Sequence, residues 1–380
     1  AGIDVPPAVK ESPAPNPETG GAADVKQSQQ STGDNAENYN TPAEKRRAGK
    51  KTRIGKKLEL NGLLESEIHA SESKASNGNK QSDSSILLST AQVGWRASIG
   101  EVVSGNLVFL WEQDSGEPMH VDEGDITWSG ERFDVTAGRL YLPFGNYNTH
   151  FITKPLTQEL GEISGSALKL HSKPAKSLDV SVSAANGNTE KVSSRGSRFN
   201  DYCVQFTATP DIGKNATLSF GAQYLSDISD TNADILNAAA QPGAPYILKK
   251  RVGGIGADIL FSMEPWDFSA ELIMASGRFD PSNLDMNADG SGDRPRTWNI
   301  EVARSIGKKN EIGLKYEGSK EFSGFPKRRY GIDSSWNMGE GISFSVEYLH
   351  GVFGSGFAPV QSYGTLHRQD SVKSQFSFEF

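Results

Sequence analysis

Apolar and polar residues alternate along the chain, in one short segment after another, from residue 57 onward. In the segment SLDVSVSA, Leu178, Val180 and Val182 fall on one face of an extended chain. Asp179 and Ser181 fall on the opposite face. Because successive side chains of a β-strand point to opposite sides, this period of two predicts strands with one apolar and one polar face.

Segments of this kind number about 16, and each is close to the ~10 residues that a tilted strand needs to cross a bilayer. Their centres lie near Leu64, Trp95, Leu107, Ile126, Val135, Leu168, Val180, Val204, Phe220, Ile259, Ala270, Ile300, Leu314, Ile332, Val346 and Phe376. The connections alternate between short turns, such as GKKN and MGEG, and long loops, beginning with SESKASNGNKQSDS. Transmembrane barrels have this alternation, with short periplasmic turns and longer external loops.

The predicted fold class is therefore all-β: a transmembrane antiparallel β-barrel over residues 57–380, with about 16 strands, short periplasmic turns and long extracellular loops. An even number of strands places both termini in the periplasm. A soluble β-sandwich or lipocalin-like assembly is the alternative, although a sandwich has no reason to keep the alternation of turns and loops through eight hairpins.

Composition excludes several other classes of protein. The chain has 380 residues, a formal net charge of −8 and one cysteine, Cys203. It has no apolar run long enough for a transmembrane helix, and a single cysteine excludes an internal disulfide or a CxxC redox motif. The six histidines have no metalloprotease spacing, and neither a Ser-His-carboxylate set nor a nucleic-acid module can be read. We predict that the chain is not an enzyme and binds no nucleic acid.

Residues 1–56 differ from the rest of the chain. They are rich in Pro, Ala, Asn, Gln, Ser and Gly and poor in aromatics, a composition that predicts a disordered periplasmic tail. The tail ends in a basic cluster from Lys45 to Lys57. This cluster is either an anchor on anionic headgroups, peptidoglycan or an acidic partner, or a solvated tail that shields the first strand.

The segment SVKSQFSFEF, which ends at Phe380, has an apolar side for lipid and a polar side for the lumen. We expect the barrel-assembly machinery to recognise Phe380 at the periplasmic rim. The expected location is the outer membrane of a Gram-negative bacterium, in contact with its lipid and lipopolysaccharide. Because porins often pack as homotrimers, we also expect a homotrimer. The sequence shows no interface for it.

The segment FDVTAGRLYLPFGNYNTHFITKPLTQELGE, residues 133–162, is less generic than the other strands and loops. Its pattern AGRxYxPFGNxxTH, followed by PLTxELGE, resembles the LbtU-type (legiobactin uptake) siderophore porin family of outer-membrane proteins. The resemblance implies an outer-membrane β-barrel porin. It also implies passage of an iron-chelating small molecule.

The same segment begins as a strand and continues as the third long loop. We predict that the loop, around residues 142–163, folds inward as a pore constriction. Arg139 interrupts an outward-facing series of apolar residues, so it needs a bulge, a place above the lipid zone or a turn into the lumen. We favour the turn into the lumen, with a carboxylate pair that ties the loop to the wall as the alternative. Facing acidic and basic groups would create a transverse field. The predicted constriction residues are Arg139, Tyr147, His150, Glu159 and Glu162.

Charged residues also occupy the polar side of many predicted strands. The set leans acidic, which predicts a wet channel with a mild preference for cations. The alternative is that charges on neighbouring strands pair and hold the wall together. The predicted lumen-facing residues are Arg96, Asp134, Lys169, Asp258, Glu271, Glu301, Lys315, Glu317, Asp333 and Glu347.

The loop segment DMNADGSGD has the spacing of a calcium-binding loop. Its candidate oxygen ligands are Asp285, Asn287, Asp289, Ser291 and Asp293, with Gly290 at the sharp turn. Arg296 occupies the position where an acidic residue is expected. The prediction is a structural Ca²⁺ ion in an extracellular loop, against the alternative of a flexible acidic loop; no other cofactor is required.

These observations favour an outer-membrane porin for the passive passage of small hydrophilic solutes, with iron-siderophore uptake as the cargo that the resemblance implies. The alternative is a structural or gated outer-membrane barrel that anchors a partner or a surface assembly. An energised receptor would need about 22 strands and a plug, for which the chain has no room.

Overall fold

The computed structural model describes residues 52–54, 57–115, 118–187, 189–191, 199–233, 235–236 and 246–380. Within these residues the chain forms one large sheet, and 16 of its strands close into an antiparallel barrel. The predicted all-β barrel with about 16 strands is therefore confirmed. Among the helices of the described residues, none has the length and apolar character that a membrane crossing requires.

The barrel strands are numbered in chain order. They are β1 (Leu58–Ala75), β2 (Lys80–Ile99), β3 (Val103–Trp111), β4 (His120–Ser129), β5 (Phe133–Tyr141), β6 (Ser164–Ala175), β7 (Leu178–Asn186), β8 (Phe199–Ala208), β9 (Ala216–Leu225), β10 (Gly254–Met263), β11 (Trp266–Ala275), β12 (Arg296–Ile306), β13 (Asn310–Lys320), β14 (Arg328–Gly339), β15 (Ile342–Val352) and β16 (Gly364–Glu379). Every strand centre expected from the alternation lies inside one of them. Helix α1 (Leu156–Gly161) lies between β5 and β6.

Short elements complete the secondary structure of the described residues. The strand Thr52–Ile54, within the predicted tail, pairs with the start of β1, and the remainder of that tail lies outside the described residues. Thr189–Lys191 pairs in parallel with Tyr246–Leu248, while Val360–Gln361 pairs with β16. Single 3₁₀ turns occur at Gln113–Ser115 and Ile228–Asp230.

The barrel closes where β16 pairs with β1. Leu64 lies opposite Phe378 in this register. The backbones of Gly62 and Phe380 exchange two hydrogen bonds of 2.9 and 3.1 Å. A Cβ on Gly62 would lie within 2.8 Å of three ring atoms of Phe380, so a side chain at this position would displace the ring from the seam. Closure satisfies the edge groups that an open sheet would expose to lipid.

The two faces of the strands differ in the way that the alternation predicts. On β13, Leu314 points outward with 57% of its surface exposed, while the adjacent Lys315 points inward with 3% exposed. The exposed apolar side chains form the outside of the barrel, where lipid removes them from water. The tryptophans Trp128 and Trp266 lie next to short turns, which suits an interfacial aromatic belt.

The first hairpin departs from the prediction of a long loop. The strands β1 and β2 continue through most of the polar segment, and only Ser76–Asn79 separates them. Lys74 pairs with Lys80 at the end of the ladder. The backbone ladder does not need apolar side chains where it leaves the lipid, so an entirely polar strand extends into water. The expected long connection was therefore wrong at this hairpin.

The main apolar cluster of the described residues lies inside the barrel rather than between two sheets. Residues of the β5–β6 connection, among them Phe144 and Leu160, pack against wall residues such as Leu225 and Ile273. The interior is therefore partly filled by the chain itself.

Candidate pore constriction

Residues 142–163, called the inward loop below, connect β5 to β6 and turn into the barrel. Phe144, Phe151, Leu156 and Leu160 of this segment are almost completely buried. The polar contacts described next place the loop against the part of the wall formed by β10–β15. Removal of four large apolar side chains from water favours this path over an exposed loop, at roughly 1.5–3 kcal/mol for each side chain.

The start of the loop has a backbone that suits a tight turn. Gly145 has φ +89°, and a Cβ at that position would overlap the ring of Tyr147. Tyr147 itself has φ +56° and is held by a short hydrogen bond from its hydroxyl to the Phe144 carbonyl. The thiol of Cys203 on β8 donates to the Pro143 carbonyl at 3.0 Å. These contacts direct the chain from the end of β5 into the lumen.

Three threonines of the inward loop recur at intervals of four residues and contact three wall glutamates. The Thr149 hydroxyl donates to Glu301 at 2.7 Å, and the Thr157 hydroxyl donates to Glu271 at 2.5 Å. Thr153 donates to Glu347 through a shorter hydrogen bond. We call Thr149, Thr153 and Thr157 the threonine ladder. Hydrogen bonds to charged groups are stronger than neutral ones, so the ladder attaches the loop along its length.

Backbone amides of the loop donate to the same carboxylates. The Asn146 amide donates to Glu271 at 2.6 Å, the His150 amide to Glu301 at 2.8 Å and the Thr153 amide to Glu347 at 3.0 Å. The Leu156 amide donates to a fourth glutamate, Glu317, at 2.7 Å. Loop amides thus replace water as the hydrogen-bond donors to the wall carboxylates. The carboxylates in turn accept from backbone amides that have no partner within a regular helix or strand.

Two basic residues neutralise part of this acidic wall. Lys315 is completely buried, with its Nζ 3.2 Å from a Glu301 oxygen and 3.8 Å from a Glu317 oxygen. It also lies over the ring of Phe151, 4.5 Å from the centroid. Arg329 donates to Glu317 at 2.7 Å and to the Lys154 carbonyl at 3.1 Å. Both cations therefore join the wall to the loop.

The predicted constriction residues of the loop do not line an open narrowing together. Tyr147, His150 and Glu162 are buried between the loop and its surroundings, and Glu159 is half-buried. The Nδ1 atom of His150 lies 2.7 Å from a Glu311 carboxylate oxygen. Glu162 accepts from Gln158 of α1 and lies 3.7 Å from Lys154 Nζ. The expectation that Tyr147, His150 and Glu162 face the pore was wrong, because partners from both the wall and the loop itself bury them.

Arg139 also departs from the placement that we favoured. Its register partner on β4 is Gly124, adjacent to the outward-facing pair of Ile126 and Ala137. Arg139 thus keeps the outward phase near the end of β5, is exposed, and donates from Nε to the Asp122 carbonyl at 3.1 Å. The predicted turn into the lumen, opposite the loop glutamates, is therefore not present. A backbone carbonyl at the strand end satisfies the guanidinium instead.

The structure places all ten predicted lumen-facing residues on the inward phase of their strands. Seven of them are buried, either by the inward loop or by adjacent side chains of the wall: Asp258, Glu271, Glu301, Lys315, Glu317, Asp333 and Glu347. Arg96, Asp134 and Lys169 are more accessible. The acidic excess read from the sequence is therefore largely covered by loop donors and cations.

A polar space that is partly open to solvent remains on the other side of the lumen, bounded by β2–β8 and by the start of the inward loop. Its charged lining residues are the basic Arg96 and Lys169 and the acidic Glu123 and Asp125. Asp125 accepts a hydrogen bond from Asn106 at 3.4 Å. The lining thus carries two charges of each sign.

Sequence reasoning missed both the threonine ladder and the carboxylate of Glu311. The spacing of four residues between the three threonines is visible in the sequence. It indicates contacts with the wall only once the path of the loop through the barrel is known. Glu311 is the first glutamate of β13, at a distance of 161 residues from its partner His150. No local pattern links residues so far apart.

The predicted calcium loop lies between β11 and β12. The Asp285 carboxylate accepts from the amides of Asp289 at 3.1 Å and Gly290 at 2.8 Å, and Asp289 accepts from Ser291 at 2.8 Å. Asp293 is buried and accepts from the Met286 amide. The candidate ligands, which include Asn287, thus share one compact turn, and ion binding there stays a prediction.

The chain matches 94–100% of the length of three outer-membrane channel structures: DcaP of Acinetobacter baumannii (TM-score 0.59, 13% identity, 88% of this chain), OprB of Pseudomonas putida (0.57, 10%, 85%) and an anion-selective porin of Comamonas acidovorans (0.54, 11%, 85%). The fold is that of the outer-membrane porins. At such low identity the likeness concerns the fold alone.

Two curated proteins are similar to this chain in sequence, both at low identity. No family model matches the chain. It is 25% identical over 264 residues to a UPF0422 protein of Coxiella burnetii, covering 65% of this chain and 56% of the relative. It is 22% identical over 273 residues to a UPF0422 protein of Legionella pneumophila, covering 64% and 50%. The chain spans about half the length of these curated relatives, and neither name specifies a siderophore.

Proposed function

We propose that this chain is an outer-membrane porin that gives passive passage to small hydrophilic solutes, with the inward loop as its constriction. The observation that carries the proposal is the one-sided attachment of that loop. Its ladder and amides bind the β10–β15 wall, which leaves a polar space along β2–β8. A polar, partly filled lumen inside an apolar exterior is the arrangement of a water-filled channel.

The proposed location is the outer membrane, with the short turns and both termini on the periplasmic side. The exposed apolar exterior and the tryptophans near the short turns support this placement. Lipid and lipopolysaccharide would then cover the outer face, and Phe380 would lie at the periplasmic rim. Recognition of Phe380 by the assembly machinery and a homotrimeric assembly remain part of the proposal.

The proposed passage has little preference between cations and anions. Arg96 and Lys169 balance Glu123 and Asp125 around the open space, while the other acidic residues are mostly covered. Opposed charges within one aqueous narrowing favour polar solutes with both donors and acceptors. We propose this weak selectivity in place of the cation preference that the acidic excess of the sequence suggested.

An iron-siderophore complex is the specific cargo to test first. The motif in residues 133–162 supports it through the family resemblance. Addition of ferric chelates of different charge to an open channel would identify a cargo by brief interruptions of the current.

Single-channel recording in planar bilayers tests the proposed porin. We expect discrete current steps that grow in proportion to salt concentration. Asp125→Asn should shift the reversal potential toward anion preference, and Lys169→Met should shift it toward cation preference. Asp211→Asn, on an exposed short turn, is the matched control and should leave the reversal potential unchanged.

A barrel that inserts without conducting would contradict the porin and favour a gated or structural barrel. That second candidate has its own support, because apolar side chains of the inward loop form one buried cluster with wall residues. Hydrolysis of a solute during its flux would instead contradict the prediction that the chain is not an enzyme.

A further inference from the structure

Three aspartates meet at the mouth of the barrel, away from the attachment of the inward loop. Asp201 lies near the start of β8, and Asp227 and Asp230 lie just after β9. One carboxylate oxygen from each comes within 4.8 Å of the others. Asp201 and Asp227 are buried, with 2% and 0% of their surface exposed, and Asp230 is half-buried. The cluster is thus largely removed from water but accessible through Asp230.

Hydrogen bonds hold these carboxylates in place without balancing their charge. Thr189 donates from its amide to Asp230 at 2.8 Å and from its hydroxyl to Asp227 at 2.9 Å. Arg251 is the cation in contact, 3.6 Å from an Asp201 oxygen and 3.5 Å from an Asp227 oxygen. Three carboxylates thus face one guanidinium. The arrangement therefore lacks positive charge.

One oxygen of Asp201 has no donor. Asp201 Oδ1 accepts from the Ser226 hydroxyl at 3.1 Å, but Oδ2 is buried and accepts no hydrogen bond from any described residue. Buried carboxylate oxygens are normally satisfied, and Asp201 Oδ2 and Asp230 Oδ2 converge with no protein donor between them, so a proton or a cation has to lie there. Its side chain is aimed into the cluster, since Asp201 Oδ2 is among the oxygens that converge beside Gly187.

Gly187, at the end of β7, leaves the space in which these oxygens converge. Asp201 Oδ2, Asp230 Oδ2 and Asn200 Oδ1 all lie within 2.6 Å of the point that a Cβ on this residue would occupy. Any other residue would therefore push the three oxygens apart. The backbone of Gly187 has no positive φ that would require glycine, so the convergence of oxygens is what excludes a side chain here.

We propose that Asp201, Asp227 and Asp230, together with the amide oxygen of Asn200, form a binding site for a divalent cation, Ca²⁺ by preference. All four candidate ligands are oxygens, which hard cations select over the softer transition metals. Calcium accepts irregular sets of oxygen ligands, whereas magnesium requires near-ideal octahedral geometry. A cation would occupy the side of the cluster toward Asp201 Oδ2 and supply the positive charge that Arg251 alone does not.

The site would join separate parts of the external face. Gly187 directly follows β7 and Asn200 lies at the start of β8, while Asp227 and Asp230 belong to the segment after β9. Two residues after Asp230, the Asn232 amide donates to the Glu162 carbonyl at 2.7 Å at the end of the inward loop. A bound cation would therefore stiffen the mouth next to the loop. The site does not depend on the proposed transport function.

Calorimetric titration of Ca²⁺ into the refolded full chain in detergent, after treatment with a chelator and without lipopolysaccharide, tests this site. We expect saturable binding by the wild-type protein and a rise in its thermal unfolding temperature. Asp230→Asn and Gly187→Ala should each weaken that binding by more than about tenfold. Gly187→Ala keeps every carboxylate, so it separates loss of the cavity from loss of charge.

The predicted calcium loop provides the control. Asp285→Asn combined with Asp289→Asn should leave binding at the proposed site intact, and circular dichroism establishes that each variant is folded. Wild-type protein that neither binds Ca²⁺ nor gains thermal stability would overturn the proposal in favour of a proton shared between the carboxylates. Binding that survives Asp230→Asn and Gly187→Ala, but is lost in the loop variant, would overturn it as well.

Discussion

Valine in place of the ladder threonines tests whether the wall glutamates hold the inward loop. Thr149 loses a 2.7 Å hydrogen bond to Glu301, while the shape of its side chain is nearly kept. A hydrogen bond to a charged group contributes about 1.5–3 kcal/mol. The Thr149 hydroxyl also accepts from the Phe151 amide at 3.2 Å, so valine leaves a second partner unsatisfied. We expect the docked loop to lose ~2 kcal/mol.

A loss of ~2 kcal/mol raises the ratio of released to docked loop by about 30-fold. If the docked state is favoured by several kcal/mol, one substitution leaves the released state rare. The triple variant Thr149→Val, Thr153→Val and Thr157→Val removes all three hydroxyl contacts and should make release visible. The free-energy contributions of contacts within one segment are not strictly additive. For the triple variant we therefore predict the direction of the change in docking free energy and not its size.

Single-channel current and limited proteolysis report the position of the loop. We expect more current noise and faster cleavage within residues 142–163 for the triple variant than for the wild-type protein. Thr136→Val is the matched control, because Thr136 is also buried but shares its 2.9 Å hydrogen bond with Thr127 of the wall. Equal noise and equal cleavage in the triple variant and in this control would refute the attachment.

Two further predictions concern the wall and an external loop. Lys315→Met leaves the buried Glu301 and Glu317 without their shared cation and should cost about 3–5 kcal/mol, seen as a lower denaturant midpoint. Addition of Glu301→Gln should recover part of that loss, and a midpoint equal to wild type would contradict the ion pair. Hydrogen bonds from Ser282 lower the pKa of the exposed Asp280 to about 2, so its contribution to loop order is complete above its ordinary value of 3.8 and disappears as the pH falls through about 2. Pepsin cleavage of the loop should rise over that interval in the wild-type protein and lack this step in Asp280→Asn.

The alternation of side chains was sufficient to predict the barrel. Each membrane-crossing strand has to present apolar residues to lipid, so the pattern of two is imposed locally on every strand. Val180 and Phe376, for example, could be assigned to strands without knowledge of their neighbours. The prediction of a long first loop was wrong because its polar residues form the same backbone hydrogen bonds between strands in water, where no apolar face is required.

The inward loop was only partly predictable. The segment from Phe133 to Glu162 indicated a loop that turns into the lumen, but it did not indicate which face of the loop meets the wall. Tyr147 and His150 were expected to face water and are buried instead. Their partners, Glu271 and Glu311, are more than a hundred residues away in the chain.

The sequence by itself determined the strands, their approximate number and the inward or outward direction of most strand side chains, because lipid on one face and water on the other act on every residue separately. Only the tertiary structure decided which inward charges remain accessible. It covered Glu301 with loop donors, left Asp125 beside the open space, and brought Asp201 to Asp227 from different segments. Hydrogen bonds and ion pairs depend on distances of a few ångströms in space, and these distances are set only when the barrel closes.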